Sequence, residues 1–199
     1  MKLIIVRHGE TYENAAGIVQ GWSCGTLNDK GKEQAKKVAL RLKDEKIDVC
    51  YSSDLERTMQ TAQEIMKFHP KATLIPEKAL REKNSSVWEG KKKQERSEFL
   101  KKHHLNLNDY RPERGGESIP DVQKRIVEFY KRLLQRYTTE TILLVSHGGA
   151  LTVFYLYLFK SHHSEFQKYH PENTAVTILE IDDDKKHTVH VLNCVKHLG

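Results

Sequence analysis

Apolar residues fall in two rhythms along this chain. Leu3-Ile4-Ile5-Val6 and Ile142-Leu143-Leu144-Val145 are unbroken runs bounded by polar residues, the pattern of strands buried on both faces. Elsewhere the spacing is helical. Ala35, Val38, Ala39 and Leu42 follow a capping Asn28, and Val122, Ile126, Phe129 and Leu133 follow Ser118 and Asp121, a capping-box-like start. Shorter signals predict strands at Ile47 to Tyr51 and Ala72 to Ile75, and a helix from Leu55 to Phe68 that Pro70 prevents from continuing far. A further helix runs from Gly149 to about Phe159. Ala175 to Ile181 and His187 to Leu192 then read as a hairpin around the polar run 182–186.

Strands alternating with helices before a final hairpin predict one domain over residues 1–199, an α/β fold built as a three-layer α/β/α sandwich with a mostly parallel mixed sheet. Between Glu82 and Gly116 the rhythm loosens into a lysine-rich helix and a polar loop. We expect a lid-like insertion there, about residues 83–117, over one end of the sheet.

Composition narrows the function classes. Apolar residues make up 38% and charged residues 30%, which suits a globular chain with a core rather than a disordered one. The longest apolar runs are far shorter than the roughly 20 residues a membrane span needs, and Met1-Lys2 leads straight into the first strand without a signal-peptide pattern. A cytoplasmic location with no membrane partner is expected. The net charge of +6 is spread over helices and interleaved with acids, and the Lys91-Lys92-Lys93 cluster reads as a solvated helix face, so nucleic acid is not expected either. Cys24, Cys50 and Cys194 are odd in number and widely spaced, which fits neither a disulfide framework nor a metal site. His103-His104, His162-His163 and His170 are read as solvated, and no metal or other cofactor is assigned.

In open α/β sheets ligands bind beyond the carboxyl ends of the strands. Three strand ends carry unusual residues here: Arg7-His8-Gly9-Glu10-Thr11, Ser52-Ser53-Asp54 with Arg57 one helical turn later, and Ser146-His147-Gly148-Gly149. Two histidines and two arginines are thereby delivered to one edge. Arginine offers permanent bidentate donors to phosphoryl oxygens, a neutral histidine can attack phosphorus, and glycines let backbone amides approach an anion. The set predicts a shared phosphate site that needs no metal.

These segments, together with Asn14, Gln20-Gly21-Trp22, Leu80-Arg81-Glu82, Trp88-Glu89-Gly90 and Gly116-Glu117-Ser118, resemble in order and spacing the histidine phosphatase superfamily, in its phosphoglycerate mutase-like branch. The resemblance covers nearly the whole chain. It implies a metal-independent phosphatase acting on a small phosphorylated metabolite through a phosphohistidine on His8. It also implies that Arg7, Arg57 and His147 hold the phosphoryl oxygens, that Asn14 adds a donor, and that Glu82 is the proton donor. Gln20, Gly21 and Gly148 are expected beside the bound phosphate ester. The chain departs from the family pattern at Ser85-Ser86-Val87, where Phe-Gly is common, and at Thr152, where arginine is common. Two other functions share this residue set: a phosphoglycerate mutase, disfavoured by the modest insertion, and a catalytically weak phosphate-ester-binding regulator. A homodimer is compatible with the sequence. Trp22 and Trp88 read equally as pocket walls or packing, and Glu10 as a partner of His8 or a helix-start acid.

Overall fold

The computed structural model describes residues 1–199. In chain order its elements are β1 (Lys2–Arg7), α1 (Tyr12–Ala15), α2 (Asp29–Leu42), β2 (Val49–Ser52), α3 (Glu56–Met66), β3 (Thr73–Pro76), α4 (Lys93–Lys102), α5 (Ile119–Arg136), β4 (Thr141–Ser146), α6 (Gly148–Leu158), α7 (Phe166–Tyr169), β5 (Val176–Ile181) and β6 (His187–Cys194). They form a mixed six-stranded sheet in the order β3-β2-β4-β1-β5-β6. β3, β2, β4 and β1 run parallel, while β5 pairs antiparallel with both β1 and β6.

The unbroken apolar runs are explained by helices on both faces. Along β1, Leu3 and Ile5 point into one cluster with α5 and α6, and Ile4 and Val6 into another with α2 and α3. All four residues are fully buried. At about 1.5–3 kcal/mol for each large aliphatic side chain removed from water, β1 and β4 form the hydrophobic centre of the molecule. They also deliver the candidate residues, because β1 and β4 pair with Arg7 opposite Ser146, and β2 and β4 with Ser52 opposite Val145. The ladders continue one residue further: the His8 amide donates to the Ser146 carbonyl (3.0 Å) and the Ser53 amide to the Val145 carbonyl (2.9 Å). His8, Ser53 and His147 therefore leave one sheet edge side by side.

Strand and helix limits differ from expectation by at most two residues, as at β2, where pairing starts at Val49. α1 and α7, of four residues each, lack the length for an apolar stripe to develop and were not expected. β3 is an edge strand with exposed ends, so its burial is weaker than that of the other parallel strands.

The turn after β1 is packed backbone to backbone on the start of α2. The Asn28 amide donates to the Glu10 carbonyl (3.0 Å), and a Cβ on Gly31 would collide with that same carbonyl. Gly31 is buried and cannot accept a side chain without moving the His8–Glu10 turn. Gly31→Ala is expected to lower the unfolding free energy by about 1–3 kcal/mol in urea titration, despite alanine being the better helix former.

Candidate active site

Beyond the β1, β2 and β4 ends lies a cleft of about 320 Å³ whose wall includes Arg7, His8, Asn14, Arg57, Glu82 and Gly148. Gln20 and Gly21 line it too. His8 is 2% exposed, and its Nδ1 lies 2.7 Å from the Gly9 carbonyl. A carbonyl can only accept, so Nδ1 carries the proton and Nε2 keeps a free lone pair. Burial, followed by the charges of Arg57 and Arg7, lowers the His8 pKa well below the usual histidine range. The ring is neutral at physiological pH.

Arg57 is almost wholly buried at the first turn of α3. Its Nη2 donates to the Gly21 carbonyl (2.8 Å), its Nη1 to the Ser23 carbonyl (3.3 Å) and its Nε to His147 Nδ1 (3.2 Å). Burial pushes its pKa down to about 10, which leaves it charged. Arg7 donates from Nη1 to the Pro171 carbonyl (2.7 Å), while its Nε has no partner. Neither guanidinium is neutralised by a carboxylate. Asn14 spends its side-chain oxygen on the Thr11 amide and on Asn173, leaving its amide nitrogen without a protein acceptor.

His147 stands behind the cleft wall and is fully buried, with its ring centroid 5.1 Å from that of His8. Because Nδ1 accepts from Arg57, Nε2 holds the proton and donates to Ser53 Oγ (2.9 Å). The resemblance implied a ring facing the phosphoryl oxygens; in the structure both nitrogens already have protein partners.

Glu82 reaches the cleft from the loop after β3 and caps α6. Its carboxylate accepts from the amides of Gly149 (3.0 Å), Ala150 (3.1 Å) and Lys83 (2.9 Å). A Cβ on Gly149 would stand 2.5 Å from Glu82 Oε1, so glycine there is what admits the carboxylate. The Glu82 backbone is fixed just as firmly. Trp22 Nε1 and Arg125 Nη2 both donate to its carbonyl (2.7 and 2.8 Å), and Arg125 Nη1 also holds the carbonyls of Ala79 and Arg81 (2.8 Å each). Arg125 is itself paired with Glu117 (2.8 Å), which holds the Asn84 amide.

Several open readings resolve. Trp22 supports the Glu82 loop and Trp88 packs on Phe99, so neither walls the cleft. Glu10 turns away from His8 to Asn28 and Lys30 at the start of α2, and the Lys30 hydrogen bond lowers its pKa. Ser86 takes up a left-handed backbone at the Phe-Gly departure and is held by its hydroxyl on the Glu113 carbonyl (2.7 Å). Thr152 bonds the His170 ring (3.0 Å) at the cleft rim. Arg125 and Asn173 carried no signal in the sequence, the one at a polar position of a helix and the other in a loop with no motif around it. Lys83 and Arg96 on the cleft wall were equally silent, whereas His170 and Lys93 were read as solvated and instead line the cleft. No group of three or more metal-ligating side chains is close enough to hold an ion, and no helix is long and apolar enough to cross a membrane.

Comparison with known proteins identifies the family and the fold. The family described as histidine phosphatase superfamily (branch 1) matches residues 3–194. Phosphoglycerate mutase-like protein 4 of Arabidopsis thaliana is 34% identical over 202 residues, 99% of this chain and 86% of that protein. Phosphoserine phosphatase 1 of Hydrogenobacter thermophilus is 30% identical over 205 residues, 100% of this chain and 95% of that protein. Among solved structures, YhfR of Bacillus stearothermophilus superposes with a TM-score of 0.90 at 28% identity, covering 100% of this chain and 99% of that one.

The two buried histidines make stability depend on pH. His8 and His147 both titrate well below their ordinary value of 6.5 in the fold, burial being the largest cause. Once pH falls under that value the unfolded chain binds more protons than the native one, so stability is retained above it and lost below it. Urea unfolding should lose up to about 1.4 kcal/mol per pH unit for each ring between pH 6 and 5, and His147→Gln should remove one share of that slope.

Proposed function

Because this chain belongs to the histidine phosphatase superfamily, branch 1, we propose that it is a phosphoric monoester hydrolase that transfers a phosphoryl group from a small metabolite to His8 Nε2 and then to water. One observation carries the reading. His8 presents a free lone pair on Nε2 in a cleft that is also lined by two arginines without a carboxylate partner and by Glu82.

Arg7, Arg57 and Asn14 are suited to grip the equatorial oxygens while Nε2 attacks phosphorus in line with the ester oxygen. The nitrogen–phosphorus bond forms as the phosphorus–oxygen bond breaks. The departing alkoxide takes the Glu82 carboxyl proton, which a poor leaving group requires. Water then attacks phosphohistidine and returns a proton to Glu82, the nitrogen–phosphorus bond breaks, and inorganic phosphate leaves. His147 contributes by fixing Arg57 through Nδ1. Charge stabilisation rests on guanidinium groups, so no metal is required, and the 83–117 insertion limits access to the cleft. A mutase would run the first half identically but return the phosphoryl group to its substrate. The name of the Arabidopsis relative keeps that reading in the test.

With p-nitrophenyl phosphate in the presence of a chelator, hydrolysis should persist, and His8→Ala should lower it by about a thousandfold or more. Interconversion of phosphoglycerate isomers without hydrolysis would establish the mutase instead, and binding of phosphate esters with neither reaction would establish a regulator. Glu82→Gln should reduce kcat about 10²- to 10³-fold on alkyl phosphates and far less on p-nitrophenyl phosphate, whose leaving group needs no proton. Equal losses on both esters would remove Glu82 from the proton-transfer role.

A further inference from the structure

Thr152 and His170 form a pair at the cleft rim that the reaction as written does not use. The Thr152 hydroxyl donates to the Gly148 carbonyl (2.7 Å), so its one proton is spent there. Its oxygen also lies 3.0 Å from His170 Nδ1, where it can then only accept. Nδ1 therefore carries the ring proton and Nε2 keeps a bare lone pair. No protein side chain or backbone group bonds that nitrogen, and the ring lines the cleft.

The bare nitrogen stands beside Arg7. A Cβ on Gly148 would lie 3.0 Å from His170 Nε2 and 3.2 Å from Arg7 Cζ, so imidazole and guanidinium converge over the same glycine. The imidazole is also fixed in place. Thr152 holds Nδ1, Phe166 stacks on the ring face (5.8 Å between centroids), and the carbonyl of the next residue, Pro171, accepts from Arg7 Nη1 (2.7 Å). His170 as a whole is exposed, yet its neighbours crowd the ring, and that desolvation, followed by the charge of Arg7, lowers its pKa below the usual histidine value. Lys93 on α4 acts in the same direction and Glu82 against it, while Glu165 and Lys168, on its own segment, pair with each other (2.8 Å). With no anion in the cleft the ring is neutral at neutral pH.

We propose that His170 is a third cationic contact for the phosphoryl group, created only on binding: the anion enters with one proton from solvent, which settles on Nε2, and Nε2 then donates to a phosphoryl oxygen beside Arg7. This inference rests on the reading of the cleft as a phosphate site and adds a residue to it. A dianion on Arg7 reverses the sign of the field at Nε2, and a charge-assisted bond replaces a lone pair that would face the anion unfavourably. Proton and anion then favour each other's binding by the same factor. Unlike the arginines, whose charge is permanent, His170 makes anion affinity rise as pH falls between the ring's free and bound titration points.

Sulfate is the probe, because it stays dianionic over the whole range used and is not turned over. Its dissociation constant is measured at pH 6 and pH 8.5 for the wild type and for His170→Ala, a change at an exposed position outside the core. The wild type should bind tighter than the variant by about fivefold or more at pH 6 and by less than about twofold at pH 8.5. Nitrogen-15 spectra of the wild type, with the His170 ring assigned by its absence from the variant, give a second readout. Nε2 should move from bare to protonated as sulfate is added at pH 6, with Nδ1 protonated throughout. A ratio of affinities that is the same at both pH values, or an Nε2 that stays bare at saturation, overturns the role of His170 alone. Failure of the wild type to bind sulfate at either pH counts against the phosphate site itself.

Discussion

Two guanidinium groups beside a buried histidine, one buried and one half-buried and neither with a carboxylate to neutralise it, set the terms for the rest of this structure. Arg7 and Arg57 are held by the dipoles of carbonyl oxygens from Pro171, Gly21 and Ser23 and by the lone pair of His147. Carbonyls fix direction without cancelling charge, so the positive field remains for an incoming anion. Burial first and then the same field suppress protonation of His8, and the Gly9 carbonyl decides which ring nitrogen is left bare. The ring tautomer and the uncancelled positive field thus follow from one choice of partners.

A free acid in that field would collapse onto an arginine. Glu82 does not, because three backbone amides take its oxygens and place it at the positive end of α6. Its main chain is held as tightly by Trp22, by Arg125, and by the Arg81 side chain, which stacks on Trp22 (4.7 Å) and forms a bidentate pair with Asp54. These supports come from the loop after α1, from α5 and from the turn after β2. The Trp-Glu-Gly segment belongs to the same scaffold: Glu89 accepts from the amides of Trp22, Ser85 and Ser86 and ties the two loops together.

The layers were legible because β1 and β4 are buried on both faces, which leaves unbroken apolar runs, and because α2 and α5 bury a single stripe each. The strand order was not legible, since nothing local to β4 says that it lies between β1 and β2. His8, Arg7 and Arg57 stood out by sitting at strand ends in motifs. Arg125 and Asn173 did not, because an arginine at a helix's polar position or an asparagine in a loop looks alike whether it supports a site or faces water. The Lys91–Lys93 run shows the same ambiguity: Lys91 and Lys92 are exposed, as a solvated face requires, whereas Lys93, exposed as well, also lines the cleft mouth.

The strand that carries His8 draws its neighbours from far along the chain. β1 is flanked by β4 and β5, and the His8 carbonyl accepts from Asn173 (2.9 Å) and the Thr174 amide (3.4 Å), more than 160 residues later. During synthesis β1 has no partner until β4 and β5 have followed it. His8 is thus made long before the residues that hold its carbonyl, so a chain stalled or clipped before residue 174 carries the side chains of His8, Arg57, Glu82 and His147 without the assembled cleft.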